Sequence, residues 1–229
     1  MDKQPRVLVL GIGNLLWADE GFGVRAAEEF YRRFENEPNI QVMDGGTQGI
    51  YLVQHIRETD ILVVFDAVDY QLTPGTMKLV EGDEVPNFMG VKKISLHQTG
   101  FQEVLAMAQM MGDYPAHLLL VGVQPVELDD FGGSLRAEVK AQITPALNAA
   151  RDWLARLGII LHERQTVLPE ETTIASTEMA LRAYEEGRPH EAEAFRRGDE
   201  RVLAGGRFFP PDNPDADLDQ ILGRKEASA

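Results

Sequence analysis

The sequence predicts an α/β fold in which a twisted, mainly parallel five-stranded sheet lies between layers of helices. Short β-branched runs alternate with helical patterns over the first two-thirds of the 229 residues, which is typical of successive βαβ units. Apolar residues make up 44% of the chain, enough for one sizeable core. A Thr-Pro-Gly turn precedes one of the runs and favours an edge position for that strand.

The predicted strands are short apolar or β-branched segments separated by helical or irregular stretches. They are Arg6–Gly11, Ile40–Met43, Ile61–Phe65, Thr76–Val80 and Leu118–Val123. Ile61–Phe65 (ILVVF) has the pattern of a strand buried on both faces. Thr76–Val80 follows the Thr-Pro-Gly turn and is the predicted edge strand. Five strands therefore make up the predicted sheet.

The predicted helices show apolar residues at helical spacing between these strands. They are Gly21–Phe34, Thr47–Glu58, Thr99–Met111 and the long amphipathic Ser134–Leu157. Thr99 and Gln102 form a capping-box pattern that would begin the third helix. Residues 81–97 are predicted to be irregular.

A change of composition near Glu163 predicts a boundary between a domain of residues 1–163 and a C-terminal extension of residues 164–229. Thr166–Gly187 is predicted to hold one helix. Gly-Gly, Pro-Pro and Asn-Pro pairs and a closing acidic stretch follow, so the last 30 or so residues are predicted to be flexible. The alternative for this tail is a docking segment for a partner.

The charge balance and the missing cysteines exclude several classes of function. Lysine and arginine number 22 against 37 acidic residues, so a net charge of −15 argues against nucleic acid or an anionic membrane as a partner. Zero cysteines exclude disulfides, thiolate metal sites and cysteine nucleophiles. The sequence shows neither a signal-peptide core nor a membrane-length apolar run, which predicts a cytoplasmic protein. Nothing in the pattern requires more than a monomer.

A glycine-rich segment follows the first predicted strand and invites comparison with a dinucleotide-binding loop. Leu16 stands where that loop needs its third glycine, and Asp19 and Glu20 would repel a pyrophosphate. P-loop, nucleophile-elbow and two-histidine zinc patterns are also absent from the sequence. A nucleotide-binding function is therefore disfavoured.

Four side chains able to do acid–base or metal chemistry are predicted at the carboxyl edge of the sheet: Glu20, Asp44, Asp66 and His97. Carboxylates and an imidazole together suit a divalent transition metal such as zinc, nickel or manganese. Each residue also has a simpler interpretation. Glu20 can stabilise a helix N-terminus, Asp66 can cap a turn and His97 can be an exposed loop residue. Their convergence at strand ends favours a joint site.

Five segments in a fixed order resemble the motifs of the hydrogenase maturation endopeptidases. They are Gly11–Gly23 (GIGNLLWADEGFG), Asp44–Thr47 (DGGT), Asp66–Asp69 (DAVD), Ser95–Gln98 (SLHQ) and Gly122–Pro125 (GVQP). The resemblance covers about residues 5–160. It implies a three-layer, phosphorylase/hydrolase-like fold, with Glu20, Asp66 and His97 as metal ligands and Asp44 as a further acidic residue of the catalytic site.

The resemblance also implies a reaction. Family members remove a C-terminal extension from the large-subunit precursor of nickel–iron hydrogenases after nickel insertion, which activates the hydrogenase. Nickel already in the substrate is the implied recognition signal. The family is grouped both with aspartic-type peptidases and with metallopeptidases, so two mechanisms stay open: a metal-polarised water, or a carboxylate acting as base. The rival function is a nickel-recognising chaperone that binds the precursor without cutting it.

Overall fold

A computed structural model of the protein describes residues 4–86 and 96–187. It contains a five-stranded sheet in the order β2-β1-β3-β5-β4. The strands are β1 (Val7–Ile12), β2 (Ile40–Gly46), β3 (Ile61–Ala67), β4 (Met77–Glu81) and β5 (His117–Val123). β1, β2, β3 and β5 run parallel, whereas β4 pairs antiparallel with β5 at the edge. The predicted mainly parallel sheet and its edge strand are confirmed.

Helices cover both faces of this sheet. They are α1 (Phe22–Arg33), α2 (Val53–Arg57), α3 (Leu96–Met110), α4 (Ala137–Lys140), α5 (Ile143–Arg156) and α6 (Leu181–Glu186). Short 3₁₀ turns occur at Ala18–Gly21, Gly49–Leu52, Gly82–Glu84 and Thr177–Met179. Within the described ranges, each helix is too short or too polar to cross a bilayer.

Two apolar cores lie on opposite faces of the sheet because successive strand residues point in opposite directions. Val7 and Val9 of β1 belong to a core shared with α1 and α5, which contribute Phe30 and Trp153. Leu8 and Leu10 belong to a second core shared with α2 and α3. This arrangement of helix, sheet and helix is the predicted three-layer sandwich.

The predicted long helix Ser134–Leu157 is wrong, because the structure divides it into α4 and α5. Pro145 lies in the first turn of α5 and supplies the reason. Proline has no amide hydrogen and its ring clashes with the carbonyl four residues earlier, so it is tolerated in a first turn but not in a helix interior. The chain therefore turns at residues 141–142 and begins a new helix.

Two other predicted helix boundaries are also corrected. The segment Thr47–Glu58 is a 3₁₀ turn followed by the short α2, and Gly49 at φ +53° interrupts regular helical backbone before it. α3 begins at Leu96, so Thr99 lies inside the helix rather than at its cap. Gln102 donates its side-chain amide to the carbonyl of Pro86 at 3.2 Å instead of closing a capping box.

Residues 164–187 pack along α1. The amide of Arg164 donates to the carbonyl of Arg33 at 2.8 Å, and the Arg32 guanidinium donates to the carbonyl of Leu168 at 3.0 Å. The helix predicted over residues 166–187 is much shorter in the structure, which has only α6 and the turn Thr177–Met179. Residues 188–229, including the predicted flexible tail, lie outside the described residues, and the predicted domain boundary stays a prediction.

Candidate active site

The carboxyl ends of four parallel strands form one edge of the sheet and carry two of the predicted carboxylates. Asp44 in β2 pairs with Gly11 in β1, and Gly11 pairs on its other side with Phe65 in β3. Asp66 is the next residue of β3 and lies opposite Gly122 in β5. Asp44 and Asp66 thus stand at the same edge, one on each side of β1.

Asp66 is fully buried, and a tyrosine hydroxyl lies next to it. The ring of Tyr70 covers Gly122, the register partner of Asp66, so closely that a Cβ on Gly122 would lie 2.1 Å from the Tyr70 hydroxyl oxygen. Burial raises the pKa of Tyr70 first, and the Asp66 charge raises it further. Tyr70 therefore keeps its proton at neutral pH and offers a hydroxyl donor beside this carboxylate.

The sequence motifs do not single out Tyr70, although Gly122 indicates that some group packs closely against β5. A glycine inside an otherwise bulky apolar strand marks the close approach of another group. The sequence pattern shows that such a group exists, but only the fold shows that it comes from the loop after β3.

The buried side chain of Gln124 fixes the loop that carries Tyr70. Its carbonyl oxygen accepts hydrogen bonds from the amides of Tyr70 at 2.8 Å and Leu72 at 3.1 Å. Its amide donates to a carboxylate oxygen of Asp69 at 3.0 Å, and the same oxygen accepts the amide of Gln71 at 2.8 Å. The Asp69 side chain is thus a cap of this turn.

Glu20 lies in the 3₁₀ turn immediately before α1 and is partly buried. This turn packs directly on the end of β1, where Gly13 has φ +130° and a Cβ would lie 1.8 Å from the Glu20 carbonyl oxygen. The preceding residue, Asp19, is fully buried and binds backbone amides of a distant loop. The two neighbouring acids therefore have different environments.

The contact between α1 and the sheet is made by glycine backbone. A Cβ on Gly23 would lie 2.1 Å from the carbonyl oxygen of Phe65 and 2.2 Å from that of Ile12. In a dinucleotide-binding loop the third glycine allows close packing of helix and strand, and Leu16 stands at that position here. Gly23 provides the close packing instead. The turn before the helix still carries Asp19 and Glu20, so the acidic N-terminus remains unsuited to a phosphate.

Asp44 is half-buried, and its Oδ1 atom is buried without a hydrogen-bond partner among the described residues. Loss of hydration raises the pKa of this carboxyl above its ordinary value, and a hydrogen bond from the Gly46 amide offsets part of that rise. Asp44 is consequently a stronger base than an ordinary aspartate and holds a proton more readily.

His97 lies in the first turn of α3 rather than in the predicted loop. Its side chain lies outside the described residues. One turn later, a Cβ on Gly100 would lie 3.5 Å from the Cα of Gly49, which follows β2 in the chain. The beginning of α3 therefore lies near the turn that follows Asp44.

The described carboxylates at this edge do not form a compact metal cage by themselves. In the parts of the chain that the structure covers, a three-residue donor cluster with all atoms within 4.8 Å is formed by Glu35, Glu37 and His162. That cluster was not predicted and lies beside the amino end of β2. Glu20, Asp44 and Asp66 do not approach one another as a trio to that spacing.

Comparison with known proteins identifies the family. A family model described as hydrogenase maturation protease matches residues 24–153. The chain belongs to this family. Its members are maturation endopeptidases, so the protein is a peptidase of hydrogenase maturation.

Several relatives show how far the similarity extends. The chain is 59% identical over 219 residues to the hydrogenase expression/formation protein HupD of Thiocapsa roseopersicina, covering 95% of this chain and 99% of that one. It is 56% identical over 199 residues to HoxM of Azotobacter vinelandii, covering 87% and 95%. The solved hydrogenase maturating endopeptidase HybD of Escherichia coli superposes with a TM-score of 0.66 at 37% identity, covering 69% of this chain and 98% of that chain. The family fold is therefore shared, and this chain is longer than HybD.

Proposed function

We propose that this protein removes a C-terminal extension from the large-subunit precursor of a nickel–iron hydrogenase after nickel insertion, and thereby activates the enzyme. The observation that carries the proposal is the fully buried Asp66 at the carboxyl end of the central strand β3, beside the Tyr70 hydroxyl. Burying a carboxylate costs folding free energy, so a carboxylate kept in such a place marks a candidate functional site. Family membership supplies the reaction class.

In this proposal Glu20, Asp66 and His97 recognise nickel that the precursor already contains. Carboxylate oxygen and imidazole nitrogen suit this ion. The spacing of the described carboxylates supports a site that the substrate completes. A protease whose donor set is incomplete gains little binding energy from an unloaded precursor, so the loaded precursor is selected.

The chain's own groups also supply the proton chemistry of peptide hydrolysis. Asp44, whose pKa is raised by burial, accepts a proton from the attacking water as the C–O bond forms, and returns it to the amine nitrogen as the C–N bond breaks. Tyr70 stays neutral beside the Asp66 charge, because burial and that charge both raise the pKa of its hydroxyl. This assignment holds whether the attacking water is activated mainly by a carboxylate or by the substrate's metal. We place the reaction in the cytoplasm and assign it to a monomer.

Intact mass spectrometry of the precursor tests the function. Nickel-loaded and nickel-free precursor are incubated separately with the full-length protein. A single C-terminal mass loss is expected only in the loaded sample, with many precursor molecules processed by each protease molecule. Stable binding without mass loss in either sample would support the nickel-recognising chaperone instead.

Alanine variants of Glu20, Asp66 and His97 test the site in the same assay. Each is expected to abolish cleavage while leaving the circular dichroism spectrum unchanged, because Glu20 and His97 lie at the beginnings of helical segments and Asp66 lies at the carboxyl end of β3, outside both apolar cores. The matched controls are Glu37→Ala and His162→Ala, which remove the same side-chain types at the other end of β2 and should leave cleavage intact. Normal cleavage by all three site variants would show that the site is assigned wrongly.

A further inference from the structure

The Asp19 carboxylate accepts three hydrogen bonds from the backbone of a loop more than 100 residues away in the chain. One carboxylate oxygen accepts the amides of Val126 at 2.8 Å and Glu127 at 2.9 Å, and the other accepts the amide of Arg136 at 2.7 Å. The Asp19 amide returns a hydrogen bond to the Glu127 carbonyl at 3.2 Å. Both oxygens of a fully buried carboxylate are thus bound by backbone donors.

These bonds hold the turn Ala18–Gly21 against residues 124–136. We call residues 124–136 the bracing loop. Two further contacts join Leu16 and Trp17, directly before this turn, to the bracing loop. The Gly132 amide donates to the Leu16 carbonyl at 2.7 Å, and the rings of Trp17 and Phe131 meet edge to face with centroids 5.3 Å apart. Charge-assisted bonds to a buried carboxylate are the strongest of this set. Asp19 is therefore the central attachment of the bracing loop.

The bracing loop begins at Gln124, whose side chain holds the Tyr70 loop beside Asp66. The bracing loop is also attached to Asp19, which is the residue directly before Glu20. Hydrogen bonds therefore attach the bracing loop to the Glu20 turn on one side and to the segment that follows Asp66 on the other. One predicted nickel-recognising carboxylate lies in the first of these attached segments, and the other precedes the second.

We propose that Asp19 is a positioning residue that sets Glu20 relative to Asp66 through the bracing loop. The proposal rests on the proposed function, since it assigns Asp19 a part in the same cleavage. Asp19 does not touch the substrate, because its two carboxylate oxygens are occupied by the loop. Its effect on cleavage arises from geometry, to which reactions in preorganised sites are sensitive.

Asp19→Asn is the first test. An amide of the same shape can accept hydrogen bonds on one side only, so it turns a donor toward one of the two groups of backbone amides. Hydrogen exchange of the turn at residues 17–21 is expected to rise about tenfold or more, since its attachment is weakened. Asp60→Asn is the control, because Asp60 also accepts a backbone amide, that of Arg6 at 2.7 Å, at the opposite end of the sheet.

A second pair of variants alters the same bond without changing Asp19. Arg136 has φ −66°, which proline adopts, so Arg136→Pro removes the donating amide with little backbone change. Arg136→Ala keeps that amide and removes only the guanidinium, which pairs with Asp130. If Arg136→Pro impairs cleavage and Arg136→Ala does not, the impairment is therefore due to the lost hydrogen bond to Asp19.

Cleavage of nickel-loaded precursor gives the deciding kinetic constants. Asp19→Asn and Arg136→Pro are expected to change the same constant, kcat or KM, that Glu20→Gln changes, in the same direction and by about tenfold or more. Asp60→Asn and Arg136→Ala should stay within about twofold of the unaltered protein. A purely structural role would lower the folded fraction but leave both constants of the folded protein unchanged.

The outcomes separate the two proposals. Constants within twofold of the unaltered protein for Asp19→Asn, or a change in a constant that Glu20→Gln leaves alone, would overturn the positioning role. If the unaltered protein cleaves no precursor, the proposed function fails. Hydrogen exchange of the Asp19→Asn variant then tests by itself whether Asp19 attaches the turn. Faster exchange of the turn at residues 17–21 would support the attachment by Asp19, and unchanged exchange there would overturn it.

Discussion

Asp44 shows how partial burial changes the behaviour of a carboxyl at the edge of the sheet. Its pKa is raised mainly by lost hydration, so the folded protein holds this proton more tightly than the unfolded chain does. The contribution of Asp44 to stability is complete below the ordinary pKa of 3.8 and is lost as pH rises through the raised value. At neutral pH the charged side chain therefore opposes folding.

Asp44→Asn is expected to increase the free energy of unfolding at pH 7, because the amide keeps an acceptor for Gly46 and carries no charge. The gain should shrink as pH falls toward 3.8. Urea unfolding at several pH values measures it. Cleavage by the same variant should fall, as is usual where a site is destabilised for function. A less stable variant at pH 7 would contradict the assigned cause.

The neighbours Asp19 and Glu20 mark the limit of prediction from sequence at this scale. Both are acidic and both lie just before α1, so the local sequence predicts for Asp19 only the repulsion of a pyrophosphate. The structure shows that Asp19 binds backbone amides of residues 126, 127 and 136. Those partners are over 100 residues away, so no local pattern reveals them.

At the scale of elements, the contact of α1 with the sheet depends on a glycine. Gly23→Ala is expected to lower the free energy of unfolding by about 1–3 kcal/mol or more, because its Cβ would overlap the carbonyl oxygens of Phe65 and Ile12. Gly100→Ala in α3 is the matched control. Its Cβ would lie an ordinary 3.5 Å from Gly49, and alanine favours helix by about 1 kcal/mol. Equal urea midpoints for the two variants would contradict the close packing.

The extension is joined to α1 by hydrogen bonds to a buried ion pair within that helix. Arg25 and Glu28 approach to 2.9 Å with side chains 3% and 7% exposed. Arg25 also donates to the carbonyl of Met179, and Thr173 donates its hydroxyl to Glu28. Residues of the extension therefore complete the hydrogen bonding of a pair that α1 alone would leave unsatisfied.

Arg25→Ala is expected to cost about 3–5 kcal/mol of unfolding free energy, because it leaves the Glu28 charge buried without its partner. Arg182→Ala is the control, since it removes an arginine from an ion pair with Glu186 in which both side chains are 66% exposed. Little change is expected there. Thermal or urea unfolding compares them, and an equally small effect of both would show that the buried pair does not hold the extension.

The helices show why elements were only partly predictable. α1 and the strands follow from apolar periodicity, and their predicted positions agree with the structure within a few residues. The division between α4 and α5 required giving the position of Pro145 more weight than the amphipathic pattern around it. The position of α3 was predicted from the capping-box pattern at Thr99 and Gln102, whereas Gln102 instead contacts the distant Pro86 carbonyl, which a local pattern does not include.

For the whole molecule, the net charge of −15 predicts self-repulsion in the folded state. Raising NaCl from about 0.01 M to about 0.15 M shortens the screening length from about 30 Å to about 8 Å, so Tm is expected to rise. A nonionic osmolyte at equal osmolality separates charge screening from general solute effects. A fall in Tm with salt would mean that attractive ion pairs outweigh the repulsion.

The sequence by itself determined the α/β class, the strands of the parallel sheet and the resemblance to the maturation endopeptidases, because these depend on local periodicity and ordered motifs. It also placed Asp44 and Asp66 at strand ends, since parallel strands share a carboxyl edge. The tertiary structure alone decided that Asp19 binds the bracing loop, that Tyr70 covers Gly122 and that the extension completes the Arg25 pair. Each of these is a contact between distant parts of the chain, and its energy exists only once the sheet has brought them together.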